Sequence, residues 1–234
     1  MPDLPDLGAV YRFEPAPAAG PGDEAEELTG LTVLVLHDAG GDEASLLEAA
    51  HRLAPGASVL SPRGPLPAGE GDGDGSRHLP ARTEPPPTNP DDPDPHAEAV
   101  HQRTGEVAAF LAAACEALDL DPERVCALGF GDGATAAVAL AYDHPDALAG
   151  VVVLSGMQPF RPPKGRILDF KQIFCATGRA DDSVTMDDYE ELVEGLVTAG
   201  ADVELHWYDA GHALSDAELD DAAAWLRKRL GPAG

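Results

Sequence analysis

The sequence predicts an α/β fold, in which a mostly parallel sheet carries helices on both faces. Apolar runs alternate along the chain with segments of helical periodicity, as in parallel strands joined by crossover helices. The run at 31–36 is almost wholly apolar, which is typical of a strand buried on both faces. The 234 residues, 44% of them hydrophobic, suffice for one sizeable core. We therefore expect a single domain over 1–234.

The first part of the chain predicts two strands, a helix and a long loop around that buried strand. A short edge strand at 10–13 belongs to an N-terminal strand and loop over 1–28. Residues 42–53 begin with acids and continue with apolar residues at helical spacing, which predicts a helix. A short strand is expected at 57–60. Residues 61–95 are rich in Pro, Gly and Asp and predict a long loop without regular structure.

The rest of the chain repeats the alternation of strands and helices. Residues 97–118 predict a long helix with a face of small residues, and the sequence Asp-Pro-Glu at 121–123 ends it. Further strands are expected at 124–129, 148–154, 172–176 and 203–207, and further helices at 132–142, 186–199 and 217–230.

The charge of the chain excludes two classes of partner. The chain has 42 Asp and Glu against 15 Lys and Arg, a formal net charge of −27. Such a surface repels phosphate backbones and anionic lipid headgroups, so we expect no nucleic-acid partner and no membrane partner. The large excess of acids over a few lysines also indicates adaptation to high salt, where the carboxylates are screened.

Cysteine usage and the first residues predict a cytoplasmic protein. The three cysteines, Cys115, Cys126 and Cys175, are odd in number and widely spaced, which favours buried, reduced thiols. Residues 1–6 are acidic and proline-rich and lack the basic start and apolar stretch of a signal peptide. No apolar run reaches the length of a membrane span.

Four loops that follow predicted strands carry the polar or glycine-rich sequences typical of sites at the carboxyl edge of a parallel sheet. The strongest, Gly-Phe-Gly-Asp-Gly-Ala at 129–134, has the flanking glycines of the nucleophile elbow Gly-x-Ser-x-Gly. The others are His-Asp-Ala-Gly-Gly at 37–41, Gly-Arg-Ala-Asp at 178–181 and Ala-Gly-His at 210–212. Along the chain, the order is elbow, acid, histidine.

Taken together, these motifs resemble the phospholipase/carboxylesterase family of the α/β-hydrolase fold over about 31–230. The resemblance rests on residues 36–43, 59–64, 129–134, 148–156, 177–182 and 211–212. It implies acyl transfer on a small-molecule ester or acid, with Asp181 as the triad acid and His212 as the base. It also implies that the N–H groups of Ala39 and Asp132 form the oxyanion hole.

The elbow departs from the family at the position that matters most. The nucleophilic serine falls on Gly131, which has no side chain. Asp38 replaces a glycine, and its carboxylate would oppose the developing oxyanion if it points inward. Asp132 replaces a neutral amide. The scaffold therefore predicts an esterase, while the site predicts an impaired one.

Two alternatives would supply another nucleophile. Asp132 could attack, although it lies one position late in the elbow and otherwise suits a helix N-terminus. A water in the space above Gly131, activated by His212, would support slow hydrolysis.

The identity of the acid is open by one position, because Asp182 lies directly after Asp181.

Two functions of different classes thus remain: an impaired carboxylic-ester hydrolase, and a non-catalytic pseudoenzyme that binds a small molecule or a partner. The Gly131→Ser variant is expected to gain activity if the other triad members are in place. The implied chemistry needs only side chains, so we expect no cofactor. Asp72 and Asp74 lack the further ligands of an EF-hand loop, so we expect no metal. No feature predicts an oligomeric state.

Overall fold

The computed structural model describes residues 4–17, 28–69, 74–89, 91–162 and 164–231. Within these ranges the chain forms one seven-stranded sheet, a two-stranded ribbon and five α-helices. The sheet strands are β1 (Tyr11–Glu14), β2 (Thr32–Leu36), β3 (Ser58–Pro62), β6 (Val125–Phe130), β7 (Gly150–Leu154), β8 (Gln172–Gly178) and β9 (Asp202–Tyr208). The ribbon strands are β4 (Leu66–Pro67) and β5 (Ser76–Arg77). The helices are α1 (Leu47–Leu53), α2 (Pro95–Leu118), α3 (Asp132–Asp143), α4 (Met186–Thr198) and α5 (Asp216–Leu230).

The sheet is mostly parallel, as predicted. Its strand order is β1-β3-β2-β6-β7-β8-β9. Only β1, at the edge, runs antiparallel to its neighbour among these described strands. Since the other strands are parallel, the loops after β2, β6, β8 and β9 all leave the sheet at the same edge. This edge carries the four motifs singled out in the sequence.

Helices cover both faces of the sheet and bury two apolar layers. One layer packs α1 and α5 against alternate side chains of the central strands. The other packs α2, α3 and α4 against the opposite side chains. Every residue of β2 and β7 is buried, which explains why their sequences are apolar without alternation. The predicted fold class is confirmed.

The turn from β6 into α3 brings helix and sheet unusually close. A Cβ added at Gly129 would overlap the backbone of Gly133 and Ala134. A Cβ added at Gly133 would overlap the backbone of Leu36 on the neighbouring strand β2. The two flanking glycines of the elbow are therefore required by packing and not only by the turn.

The loop predicted over 61–95 carries some regular structure that the sequence did not indicate. The segment contains the β4–β5 ribbon, and Leu79 within it is buried in the core. Residues 70–73 and 90 lie outside the described ranges. The first helix also begins at Leu47, because residues 43–46 form turns instead of the predicted helix start.

The three cysteines are free and buried, as predicted. Burial raises the pKa of Cys126 and of Cys175 to about 12, and it also raises the pKa of Cys115. All three thiols are therefore protonated and unreactive at neutral pH. Among the described helices, none combines the length and the apolar character that a bilayer crossing requires.

Candidate functional site

The elbow between β6 and α3 has the tight turn typical of a nucleophile elbow, but its central residue, Gly131, has no side chain. Gly131 has φ 57° and ψ −118°, a conformation that side-chain-bearing residues rarely adopt. Its N–H donates to the carbonyl of Leu154 at 3.0 Å, and its carbonyl accepts from the N–H of Thr135 at 3.1 Å. These bonds tie the turn to β7 and to the first turn of α3.

The loops after β8 and β9 place an acid and a histidine side by side. Asp181 Oδ2 accepts from His212 Nδ1 at 2.8 Å. Its Oδ1 accepts from the N–H groups of Ser183 and Val184 at 2.8 and 2.9 Å, so the carboxylate is fixed in place. Asp182 is exposed and has no such contact with the imidazole. The structure therefore brings together Asp181 and His212, the pair that the sequence favoured.

The carboxylate of Asp38 points into the site. Its Oδ1 accepts from the N–H of Ala39 at 2.7 Å and from the N–H of Asp132 at 2.8 Å. Its Oδ2 lies 3.3 Å from His212 Nε2. The two amides expected to form the oxyanion hole therefore converge, and the group they bind is the protein's own carboxylate.

The loop that carries Asp38 is held in place by the buried side chain of His37. His37 Nδ1 donates to the carbonyl of Asp38 at 2.8 Å, and its Nε2 accepts from the N–H of Gly64 at 3.0 Å. These bonds fix the tautomer of His37 and the direction in which the loop leaves β2. The sequence motif contained this residue, but its spacing gave no sign of this role.

Gly131 and the inward Asp38 depend on each other. A Cβ added at Gly131 would lie 2.8 Å from Asp38 Oδ2 and closer still to Oδ1 and Cγ. A serine at this position and the observed Asp38 therefore cannot coexist without movement of the carboxylate. The gain of activity expected from Gly131→Ser therefore requires that Asp38 first move out of the site.

The predicted water above Gly131 meets the same obstacle. The Asp38 carboxylate fills the space that this water was expected to occupy. His212 Nε2, which was expected to activate the water, faces Asp38 Oδ2 instead. The interpretation of His212 as the base for a water held at Gly131 was therefore wrong.

The alternative in which Asp132 acts as the nucleophile is also contradicted by the structure, because both of its carboxylate oxygens are engaged elsewhere. Its Oδ1 accepts from Arg77 Nη2 at 3.0 Å, and its Oδ2 accepts from the N–H groups of His78 and Leu79 at 2.8 and 3.3 Å. The Asp132 side chain is only 8% exposed. The carboxylate thus anchors the segment after β5 beside the site, and only the backbone N–H of Asp132 faces Asp38.

Two carboxylates flank the imidazole and change its protonation. The hydrogen bond to Asp38 is the largest influence on the pKa of His212 and raises it. Partial burial lowers this pKa and Asp181 raises it, so that it reaches about 9. Burial raises the pKa of Asp38, but hydrogen bonds from His212 and from the two amides outweigh it and leave that pKa lowered. The same balance lowers the pKa of Asp181. At neutral pH the site therefore holds an imidazolium between two carboxylates.

A cavity of about 510 Å³ opens directly onto these groups. Asp38, Gly131 and His212 line one side of it, and Leu79 and Met157 line other parts of its wall. Its size suits a small organic molecule.

No cluster of three or more His, Cys, Asp or Glu in the described part of the chain is placed to hold a metal ion. Asp72, one of the two loop acids considered in the sequence, lies outside the described residues.

The comparisons with known proteins agree with this fold. The profile of the Dienelactone hydrolase family matches residues 19–227. "Putative hydrolase MhqD" of Bacillus subtilis (strain 168) is 30% identical over 128 residues, which cover 55% of this chain and 64% of that protein. "Putative esterase NocK" of Nocardia uniformis subsp. tsuyamanensis is 34% identical over 110 residues, which cover 47% of this chain and 28% of that protein. The crystal structure of the Bacillus cereus carboxylesterase superposes with a TM-score of 0.77 at 28% identity and covers 94% of each chain.

The matched segments span less than two thirds of either curated relative. The α/β-hydrolase part of the sequence resemblance is confirmed, and the branch whose profile matches is that of the dienelactone hydrolases. This chain belongs to the dienelactone hydrolase family.

Proposed function

We propose that the chain binds a small ester or acid in the cavity beside His212, and that its hydrolysis of carboxylic esters by the serine route is impaired. One observation carries the proposal: the Asp38 carboxylate occupies the two amides that would stabilise an oxyanion. With Gly131 at the elbow, the position expected to carry the nucleophile offers no hydroxyl to the imidazole. Asp181 and His212 are paired as the resemblance implies for a triad acid and base, but the elbow supplies no serine for the acyl-transfer step.

The size of the expected impairment follows from the two defects together. Loss of one triad member leaves about 10³–10⁴-fold acceleration over water when the oxyanion hole is still free. Here the hole is filled by a carboxylate whose charge is the same as that of the developing oxyanion. We therefore expect ester hydrolysis below even this residual level.

A non-catalytic pseudoenzyme is the second candidate function, and the ionic arrangement favours it. The imidazolium of His212 lies between the carboxylates of Asp181 and Asp38, so the polar groups of the site satisfy one another without a ligand. In that case the cavity would serve binding alone.

The test uses a fluorophosphonate probe and 4-nitrophenyl butyrate. We expect the wild-type protein to show no labelling, and a turnover no faster than that of the His212→Gln variant. The double variant Asp38→Gly with Gly131→Ser removes the obstructing carboxylate and adds the hydroxyl, and we expect it to gain both labelling and turnover. Gly131→Ser alone should gain little, because its side chain overlaps Asp38.

Two results would refute the proposal. Stoichiometric labelling of the wild-type protein, or ester turnover that depends on His212, would show that ester hydrolysis at this site is not impaired as proposed. Circular dichroism of each variant establishes that a negative result comes from a folded protein.

A further inference from the structure

We propose that Asp38 is itself a nucleophile, which attacks a saturated carbon that carries a leaving group. The site would then hydrolyse small alkyl halides through an alkyl ester of Asp38. This inference rests on the proposed function, since it assumes that the cavity accepts a small molecule and that the acyl-serine route is absent. It names the substrate class and the attacking atom.

The two oxygens of the Asp38 carboxylate have different surroundings. Oδ1 is fixed by two amide N–H groups, whereas Oδ2 has one longer contact, 3.3 Å, to His212 Nε2. The side chain remains 31% exposed and lines the cavity. A carboxylate oxygen that makes a single, longer contact keeps a lone pair that can face a bound carbon atom.

The first step is a displacement at the saturated carbon. A lone pair of Asp38 Oδ2 forms the new O–C bond while the C–halogen bond breaks, and halide leaves with the bonding electrons. No oxyanion develops in this step, so the occupied amides do not obstruct it. The product is a neutral ester whose carbonyl oxygen, Oδ1, stays on the N–H groups of Ala39 and Asp132.

The ester is then placed for hydrolysis by the groups around it. Its formation neutralises the Asp38 carboxylate, whose hydrogen bond contributes most to the raised pKa of His212, so the imidazolium can release its proton to solvent. Neutral His212, oriented by Asp181, takes a proton from water as the water oxygen attacks Cγ. The oxyanion forms on Oδ1, where two amides already donate.

Collapse of this intermediate completes the balance of atoms. The bond between Cγ and the alkoxy oxygen breaks, and the alkoxide takes the proton from His212 to leave as an alcohol. The carboxyl proton returns to the imidazole, which restores the starting ion arrangement. The net reaction converts one alkyl halide and one water into one alcohol, one halide and one proton.

This route predicts where the oxygen of water goes. The alcohol oxygen comes from Asp38, and the water oxygen enters the Asp38 carboxylate. A direct attack of water on the alkyl halide would instead place the water oxygen in the alcohol. A single turnover in heavy-oxygen water separates these two routes without any substitution in the protein.

The experiment uses 1-bromobutane with the folded wild-type protein and three variants. We expect bromide release by the wild-type protein and by Asp182→Asn, a control that removes an exposed neighbouring carboxylate. In Asp38→Asn, bromide release should fall to the uncatalysed rate. In His212→Gln, one butyl group should accumulate on Asp38, because the ester forms but is not hydrolysed. The buried cysteines contribute little background alkylation.

Three results would overturn the inference: no bromide release above the uncatalysed rate by the wild-type protein, a butyl group on a residue other than Asp38 in His212→Gln, or heavy oxygen in butanol after one turnover. Each of these leaves the proposed function intact if the nitrophenyl ester and the fluorophosphonate probe remain unreactive. Labelling by that probe would instead refute the proposed function itself.

Discussion

Substituting Asp38 with Asn tests the ionic arrangement through the stability of the protein. In the wild-type site the pKa of His212 rises from an ordinary value of 6.5 to about 9, with the hydrogen bond to Asp38 as the first cause. One pKa unit corresponds to about 1.4 kcal/mol, so the whole rise represents roughly 3 kcal/mol. Since Asp181 supplies part of it and the pair is partly exposed, we assign roughly 1–2 kcal/mol to Asp38.

The sign of the pH dependence follows from the direction of the shift. A histidine whose pKa is higher in the folded state than in the unfolded state stabilises the fold fully below the unfolded pKa. This contribution is lost as the pH rises from about 6.5 through about 9. The free energy of unfolding of the wild-type protein should therefore fall over this interval, and that of Asp38→Asn should fall by roughly 1–2 kcal/mol less.

Urea unfolding at fixed ionic strength, followed by tryptophan fluorescence between pH 6 and 9.5, measures this difference. The control is Asp182→Asn, which removes an exposed carboxylate next to Asp181 and should keep the wild-type pH dependence. An NMR titration of the His212 ring should show its pKa fall in Asp38→Asn. Equal pH dependence in the wild-type protein and Asp38→Asn, or wild-type His212 titrating near 6.5, would refute the reasoning.

Three further predictions concern the stability of the fold. Arg77→Met should lower the free energy of unfolding in urea by about 2–3 kcal/mol, because the buried Asp132 carboxylate loses its cation. The control, Arg166→Met at an exposed ion pair, should lower it by less than about 1 kcal/mol. Equal effects of the two substitutions would contradict this. Tyr189→Phe should lower the free energy of unfolding by about 1 kcal/mol, since the buried Tyr189 hydroxyl donates to strand carbonyls at 2.8 and 2.9 Å. An unchanged urea midpoint would contradict this prediction. With a net charge of −27, the thermal midpoint should rise between about 0.1 and 1 M NaCl, as the screening length falls from about 10 to 3 Å; a midpoint independent of salt would exclude self-repulsion as a limit on stability.

The fold could be predicted because its signals are local. Apolar runs and helical periodicity place the sheet strands close to their observed bounds, and only the ends differ by a few residues. The elbow glycines were recognisable since the close approach of α3 to β2 and β6 excludes larger residues there. The ribbon within 61–95 was not predicted because its order depends on the bonds from Arg77 and His78 to Asp132, which lies more than fifty residues further along the chain.

The candidate site could be predicted only in part. The spacing of the motifs brought Asp181 and His212 to notice, and the structure places them 2.8 Å apart. The sequence also marked Gly131 and Asp38 as separate departures from the family. That the Asp38 side chain fits into the space left by the missing Cβ of Gly131 could be found only from the side-chain positions, because it depends on the direction in which Asp38 points.

The position of the Asp38 carboxylate in a crystal structure at neutral pH is the most direct test of the whole account. We predict that one oxygen will be found within hydrogen-bonding distance of the N–H groups of both Ala39 and Asp132, with the other oxygen facing His212. An Asp38 side chain turned to solvent, with water on the two amides, would contradict it.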